Sequence, residues 1–442
     1  MGLGLLGRGI GDVKFLLSEG ARVTATDLKT RKQLQSSVEE IEKDYKKFQI
    51  SNFKFKIHKV KYVLGGHRKE DFRKADYILK AAGVPLDCPY IRLARKNNIP
   101  IKMDDSWLAE YAPCPIVGIT GTRGKTTVST LIYEILRANA KKFEKIYLGG
   151  NIRGMATLPL IKKLKAKDKL VLELSSWQLQ GWQDAGISPQ IAVITNIYPD
   201  HLNYYGTMKR YVADKKAIYE NQNKNDYLII NKDNPYSKEF AREARSKVIW
   251  FSKKDVPKNW RVKILGEHNR ENIAAAIKVA EILKIPKAKI RKVVESFNPV
   301  EGRLEFVRNY KGAKIYNDNN ATTPEAVIAA LNSFREPIVL LAGGSKKQVS
   351  YRELAKLIKK KVKALILFQG AGSEDIIKEL KKVKYQKPLV IVKSMKEAIG
   401  EVKKVLKRGE VFLFSPAAAS FGLFVNEYDR NDQFVKEIKK LK

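Results

Sequence analysis

The chain has 442 residues and carries 85 Lys+Arg against 47 Asp+Glu, a formal net charge of +38. Hydrophobic residues make up 44% of it, which excludes wholesale disorder, and the length fits two or three domains, each able to bury its own core. No apolar run approaches the roughly 18–20 residues of a membrane span, and two cysteines, Cys88 and Cys114, supply neither a disulfide framework nor a thiolate metal site.

Arg8, Asp12 and Lys14 interrupt the first apolar stretch, which therefore does not read as a signal peptide; a soluble, reduced, cytoplasmic chain is expected. The lysines are spread along the whole sequence, as in Lys162-Lys163-Leu164-Lys165 and Lys359-Lys360-Lys361, on segments that read as solvated helix faces. No single basic arm interleaved with aromatics stands out. The charge is read as solubility and steering, and no nucleic-acid partner is expected.

Short apolar strand candidates alternate with amphipathic helix candidates from end to end, the pattern of α/β proteins with parallel sheets. The first block, 1–111, holds Arg22–Asp27, Tyr77–Lys80 and Pro100–Met103 as predicted strands. The second, 112–298, opens at Pro113-Cys114-Pro115 and carries Ile116–Thr120, Leu170–Glu173, Ile191–Ile197 and Tyr227–Asn231, then a helix from Asn269 to Leu283. The third, 299–442, follows Phe297-Asn298-Pro299 with Ala313–Asp318, Ile338–Gly343, Ala364–Gly370, Leu389–Val392 and Val411–Ser415. Proline restricts its own φ and its predecessor, which makes Pro113, Pro115 and Pro299 natural joints.

Two glycine-rich loops carry chemistry. Gly2-Leu3-Gly4-Leu5-Leu6-Gly7 matches G-x-G-x-x-G, with Asp27 at the end of the following strand; such a loop lets backbone approach a pyrophosphate at a helix N-terminus, and the acidic residue accepts from a ribose or base. A fingerprint of this kind follows a strand, yet the sequence begins at the fingerprint itself, so the first strand of this domain is expected to be missing. The second loop, Gly118-Ile119-Thr120-Gly121-Thr122-Arg123-Gly124-Lys125-Thr126-Thr127, follows the strand Ile116–Thr120. It opens a helix whose apolar positions Val128, Leu131, Ile132, Ile135 and Leu136 keep helical spacing. Its backbone amides suit phosphate oxygens, Lys125 balances the β/γ charge and Thr126 can ligate Mg²⁺, so ATP binding is expected. A second group is expected beside it: Glu173 extends a buried strand, which is costly unless paired or metal-bound, and Asp200 and His201 follow the strand Ile191–Ile197.

Together with GGN at 149–151, ELSSWQL at 173–179, TNIYPDHL at 195–202, GEHNREN at 266–272, EGRLE at 301–305, NDNNATT at 317–323 and SPAAASF at 415–421, these segments resemble the ATP-dependent Mur ligase family. They occur in family order over nearly the whole chain, and with the N-terminal fingerprint they look like the branch that adds D-glutamate to UDP-N-acetylmuramoyl-L-alanine. The resemblance implies three α/β domains: an N-terminal Rossmann-like domain for the UDP-sugar (1–111), a central P-loop ATPase-like mononucleotide-binding domain (112–298) and a C-terminal Rossmann-like domain for the amino acid (299–442). It also implies an acyl-phosphate route, with no nucleic acid, no membrane span and a monomeric chain.

By the same resemblance, Gly121, Thr122, Arg123, Gly124, Lys125, Thr126 and Thr127 cradle ATP phosphates, Asn269 and Asn272 face the adenine, and Arg303 and Asp318 reach the phosphates and ribose. Asn151 lies near the reacting groups. Thr126, Glu173, His201 and Lys215, the last as a carbamate formed with CO₂, hold two Mg²⁺ ions. Gly4, Leu5, Leu6, Asp27, Leu28 and Gly83 serve the UDP-sugar, and Thr322, Lys347 and Ser420 the D-glutamate. Helical spacing alone leaves Lys215 and Lys216 open, and the run Gly343-Gly344-Ser345-Lys346-Lys347 leaves two lysines open. The chain departs from the family pattern at Asn320, where the family carries lysine, at Gly422, where it carries an acidic residue, and at Arg123, where it often has asparagine; Leu28-Lys29 stand where Thr-Arg is common. Asn320 keeps alive a sister ligase that uses another amino acid or peptide acceptor. A nucleotide-regulated nucleic-acid binder rests on charge alone, and a dehydrogenase on the first fingerprint alone.

Overall fold

The computed structural model describes residues 1–5, 7–51, 57–347 and 349–441. They form two compact units, one of residues 1–255 with 274–290 and the other of 256–273 with 291–442.

The first unit contains two short parallel pairs and a six-stranded sheet. β1 (Thr24–Asp27) pairs with β2 (Lys61–Leu64), and β3 (Ile78–Leu79) with β4 (Ile101–Lys102). Residues 1–2 lie between the pairs: Gly2 N–H donates to Thr26 O (2.8 Å), the Met1 ammonium to Leu79 O (2.7 Å) and Ala81 N–H to Met1 O (2.9 Å). Met1 and Gly2, the first glycine of the fingerprint, thus bridge the two pairs by backbone hydrogen bonds, although no strand forms at these residues. Leu6 lies outside the described residues.

The large sheet is built from β5 (Ile116–Thr120), β6 (Ile146–Gly150), β7 (Lys169–Glu173), β8 (Ile191–Ile194), β9 (Tyr227–Asn231) and β10 (Lys247–Phe251), in the order β10-β9-β8-β5-β7-β6, all parallel. Central parallel strands are buried on both faces, and Ile116–Ile119 of β5, all of β8 and Leu170–Leu172 of β7 are accordingly buried runs without a polar side chain. The helix Lys125–Ala138 buries Val128, Leu131, Ile132, Ile135 and Leu136 against it, the five positions the spacing selects. The helix Ser176–Ala185 starts on a capping box in which Ser175 accepts from Gln178 N–H.

The second unit holds β11 (Glu305–Tyr310), β12 (Ala313–Asn317), β13 (Ile338–Gly343), β14 (Val362–Phe368), β15 (Leu389–Val392) and β16 (Val411–Phe414) in the order β11-β12-β16-β13-β14-β15, with only β11 antiparallel. Each expected strand is present, within two or three residues at its ends. The helix expected from Asn269 starts two residues earlier, as Glu267–Ile282. Four strands were not anticipated, β2, β6, β10 and β11, and all four are sheet edges. An edge strand faces solvent along part of its length, and exposed Lys61, Lys247, Trp250 and Phe306 break the apolar runs that mark the interior strands.

Within the first unit a carboxylate cluster is buried where the fingerprint helix Arg8–Ser18 meets the helix Asp104–Tyr111. Asp12 Oδ1, Asp104 Oδ2 and Asp105 Oδ2 have no hydrogen-bond partner, and Arg8 Nε lies 3.6 Å from Asp104 Oδ2. Burial, and then the neighbouring Asp104, push Asp12 and Asp105 well above the usual carboxylate range. A carboxyl whose folded pKa is raised contributes stability that is complete below its unfolded pKa and lost as pH rises through the folded one. Asp105→Asn keeps the acceptor for Ser106 N–H (2.8 Å) without the charge. It is expected to raise unfolding free energy by about 1–3 kcal/mol at pH 8, with the gain shrinking toward pH 4; urea titrations at the two pH values check this.

Candidate active site

The phosphate loop leaves β5 at the carboxyl edge of the large sheet, where the strand order reverses between β8 and β7, the place where open α/β sheets bind ligands. Gly121 has φ +143°, and a Cβ there would sit 1.9 Å from Thr195 Oγ1 and 3.1 Å from Asn196 N, so the loop closes on the β8 segment only as glycine. That segment clamps it. Asn196 O accepts from Thr122 N–H (2.8 Å), its Oδ1 from Arg123 N–H (2.9 Å), and its Nδ2 donates to Arg123 O (3.2 Å), with Thr195 Oγ1 on the same carbonyl (2.6 Å). Gly124, at φ +82°, ends the loop, and Lys125 begins the helix whose first turn directs its N–H groups outward.

Two lysines meet on one carbonyl. Lys125 Nζ donates to Gly121 O (3.0 Å) and Thr122 O (3.1 Å), and Lys215 Nζ donates to Gly121 O (3.0 Å) and Thr120 Oγ1 (3.3 Å). Lys215 belongs to the helix Met208–Lys216 and is 1% exposed, with its Nζ 4.9 Å from the Tyr211 ring centroid. Burial, then the charge of Lys125, hold its pKa well below the ordinary lysine value against the pull of Asp200, Asp214 and Glu173. Lys216 points elsewhere, to Glu239 (2.6 Å) and Glu243 (2.7 Å). Geometry thus separates two lysines that helical spacing could not.

Glu173, at the end of β7, is 2% exposed. Its Oε1 accepts from Asn151 Nδ2 (3.2 Å) and its carbonyl from Asn151 N–H (2.7 Å), while Oε2 is buried without a partner. An unfilled anionic oxygen beside a phosphate loop fits a hard cation. Asp200 lies 3.8 Å from both Arg123 Nη2 and His201 Nε2, and the half-exposed His201 ring packs on Trp177 at 4.7 Å between centroids. Among the described residues no group of three His, Cys, Asp or Glu side chains could hold a metal.

In the first sheet of this unit, Asp27 Oδ2 accepts from Gly4 N–H (3.0 Å), Leu5 and Leu28 are exposed, and Gly83 follows β3. Lys80 is buried and donates to Val84 O (2.8 Å), bracing the Gly83 turn; burial pushes it down to about 8.

In the second unit, three loops leave the carboxyl ends of the neighbouring strands β12, β16 and β13. Asp318 accepts from Leu304 N–H (3.0 Å) and Ser415 Oγ (2.8 Å), beside Arg303 in the same turn. Lys347 Nζ donates to Thr322 Oγ1 (3.1 Å), whereas Lys346 faces Asp375 (3.4 Å), so here too one of two adjacent lysines turns to a surface carboxylate. Ser345 N–H pairs with Ala419 O (3.0 Å), joining the Lys347 loop to the Ser420 loop. Asn320 Nδ2 turns back to Glu301 O (3.3 Å). Asn269 and Asn272 bond to each other (2.9 Å) near the start of the helix Glu267–Ile282.

Family models match residues 119–263 as a Mur ligase middle domain and 302–418 as a Mur ligase glutamate ligase domain. A protein of Roseiflexus sp. named UDP-N-acetylmuramoylalanine–D-glutamate ligase is 35% identical, covering 98% of this chain and 96% of its own. One of the same name from Borreliella afzelii is 33% identical over 100% of this chain and 97% of its own. The chain belongs to the Mur ligase family. Solved structures share its fold: a MurF ligase from Thermotoga maritima in complex with ADP (TM-score 0.62, 19% identity, 97% of this chain and 99% of that one) and a pseudomurein peptide ligase type C from Methanothermus fervidus (TM-score 0.58, 20% identity, 98% and 97%).

Three residues of this Mur ligase escaped the sequence reading. Asn196 sat inside a quoted motif, but its clamp on the phosphate loop depends on a tertiary contact. Arg8 follows the fingerprint and donates to Gly150 O (2.5 Å), beside Asn151. Arg430 is wholly buried and donates to Asn319 Oδ1 (2.8 Å), Asn319 O (2.9 Å) and Ala418 O (3.2 Å), tying the Thr322 segment to the Ser420 segment; burial pushes its pKa down to about 10. Charged hydrogen bonds contribute about 1.5–3 kcal/mol each, so Arg430→Met is expected to lower unfolding free energy by at least about 3 kcal/mol, read as a fall in urea midpoint. Asn196→Ala releases the phosphate loop and is expected to weaken ATP binding at least about tenfold in calorimetry.

Proposed function

We propose that this chain is an ATP-dependent amide ligase joining D-glutamate to UDP-N-acetylmuramoyl-L-alanine, a step of peptidoglycan precursor synthesis. What carries the reading is the convergence of Lys125, Lys215 and Glu173 on one phosphate loop, in a chain whose full-length relatives bear that name.

A carboxylate at neutral pH is a poor electrophile, so the substrate's carboxylate oxygen first attacks the γ-phosphorus of ATP. The bond to the bridging oxygen of ADP breaks and an acyl phosphate forms. The amine nitrogen of D-glutamate then attacks the acyl carbon, the carbon–oxygen bond breaks, and phosphate and a proton leave. Gly121–Thr127 and Lys125 hold the phosphates, with Arg123 adding charge. Asn151 stands between Glu173 and the reacting groups, and Arg8 steadies it through Gly150. Neutral Lys215 takes up CO₂, its nitrogen bonding to carbon with loss of a proton, and becomes an anionic oxygen ligand. Thr126, Glu173, His201 and that carbamate would hold magnesium, which would supply positive charge against the repulsion between carboxylate and triphosphate.

Gly4, Leu5, Asp27, Leu28 and Gly83 take the UDP-sugar. Asn269, Asn272, Arg303 and Asp318 serve the nucleotide. Thr322, Lys347 and Ser420 take the D-glutamate carboxylates, a cation and two hydroxyls being suited to two anions. The same reading includes domain limits at 1–111, 112–298 and 299–442, a monomer and a cytoplasmic location; among the described residues no helix is long and apolar enough to cross a membrane.

Phosphate release from ATP with UDP-N-acetylmuramoyl-L-alanine is expected to be stimulated by D-glutamate and not by L-glutamate, D-aspartate or L-lysine. Stimulation by another amino acid instead marks a sister ligase, the reading that Asn320 favours. Lys215→Ala is expected to lose activity more than about 100-fold and to regain part of it with a short-chain carboxylic acid, while Lys216→Ala stays near wild type.

A further inference from the structure

Parallel strands have two edges, and the phosphate loop, Asn151 and Glu173 all lie at the carboxyl edge of the large sheet. The opposite edge, one strand length or roughly 16 Å away, is made where the segment 141–145 enters β6 and the segment 162–168 enters β7. The two segments are joined by Lys169 N–H on Lys145 O (3.0 Å), Lys145 N–H on Asp168 Oδ1 (2.9 Å) and an ion pair between Lys169 and Glu144. Their acidic residues are thereby consumed inside the turn: Asp168 is 1% exposed and also accepts from Lys165 N–H (2.9 Å).

What remains outside is Lys141, Lys142, Lys145, Lys163, Lys165 and Lys167, all exposed and, among the described residues, in no ion pair. This differs from the lysine-rich helices elsewhere, where Lys356, Lys382, Lys404 and Lys440 each pair with a glutamate three residues earlier. At the centre stands Phe143, 71% exposed at the tip of its turn with φ +67°.

We infer that this surface docks the protein reversibly on an anionic lipid bilayer, with Phe143 entering the interface and the surrounding lysines on the headgroups. An apolar wedge within a basic ring is the arrangement by which peripheral proteins combine apolar burial with headgroup attraction. Single-stranded nucleic acid fits less well. It needs open aromatic faces for base stacking, and the Phe143 ring is already approached by Lys142 Nζ at 5.1 Å and Lys167 Nζ at 5.2 Å. Lying at the far edge of the sheet, the surface leaves the phosphate loop clear. This inference is independent of which amino acid the enzyme uses.

The test is sedimentation of the full-length protein with vesicles of phosphatidylcholine alone or mixed with phosphatidylglycerol, at low and high salt. The mixed vesicles are expected to bind the protein more than about tenfold better than phosphatidylcholine alone, with binding falling as salt screens the charges. Combining Lys142→Glu, Lys165→Glu and Lys167→Glu should abolish that preference, and Phe143→Ser should weaken binding at both salt levels. Thermal melting and phosphate release should stay unchanged in both variants. A charge-matched control, Lys359→Glu with Lys360→Glu and Lys381→Glu, should keep most of the binding. Equal loss in the control, equal binding to both vesicles, or tighter binding of a single-stranded oligonucleotide that the patch substitutions abolish would each overturn the inference.

Discussion

Two lysine side chains hydrogen-bond to one carbonyl oxygen, that of Gly121. Two ammonium groups sharing an acceptor in a largely buried space repel, and one of them gives up its proton more readily. Lys215, sealed from solvent, is the one whose charge is the harder to keep; Lys125 is less deeply buried and, under the proposed function, is the one a triphosphate would neutralise. Under the proposed function this tension has a chemical use. A buried amine without its proton is a nucleophile toward CO₂, and the product would reverse the sign of the group at a place where Glu173 already presents an unfilled oxygen.

Much of the surrounding fold serves to hold that carbonyl. The reversal of strand order between β8 and β7 opens a crevice beside β5, Gly121 lets the loop lie against the β8 segment, and Asn196 closes on it from three atoms. Asn151 and Gly150 secure Glu173 from the other side. At Gly150, φ is +86° and a Cβ would meet Glu173 O at 2.1 Å, so the strand can turn there only as glycine. The second unit repeats the device with different chemistry. Loops from adjacent strand ends are gathered by a buried cation, Arg430, and present one lysine, Lys347, beside one hydroxyl, Thr322.

Interior strands were legible because burial on both faces demands an unbroken apolar run; the strands that escaped were edges, and in β2, β10 and β11 exposed residues erase that signature. The phosphate loop was legible because its backbone needs glycines at particular positions. Lys215 and Lys347 were distinguishable from their neighbours only by resemblance, since adjacent lysines look alike in sequence; in the structure Lys216 and Lys346 are occupied by carboxylates that no local pattern brings near. Asn196, Arg8 and Arg430 could not be read in advance, for their roles lie in contacts across 73, 142 and 111 residues of chain. The basic surface around Phe143 has the same character. Its lysines looked dispersed in sequence, and only the pairing of β6 with β7 gathers them.

The central claim is that Lys215 exists as a neutral amine able to become a carbamate. Carbon-13 NMR of the protein in ¹³C-bicarbonate with Mg²⁺ tests it most directly. The account predicts one protein-bound carbamate resonance that persists in Lys216→Ala and disappears in Lys215→Ala. A spectrum with no bound resonance, or one whose resonance survives the loss of Lys215, would contradict it.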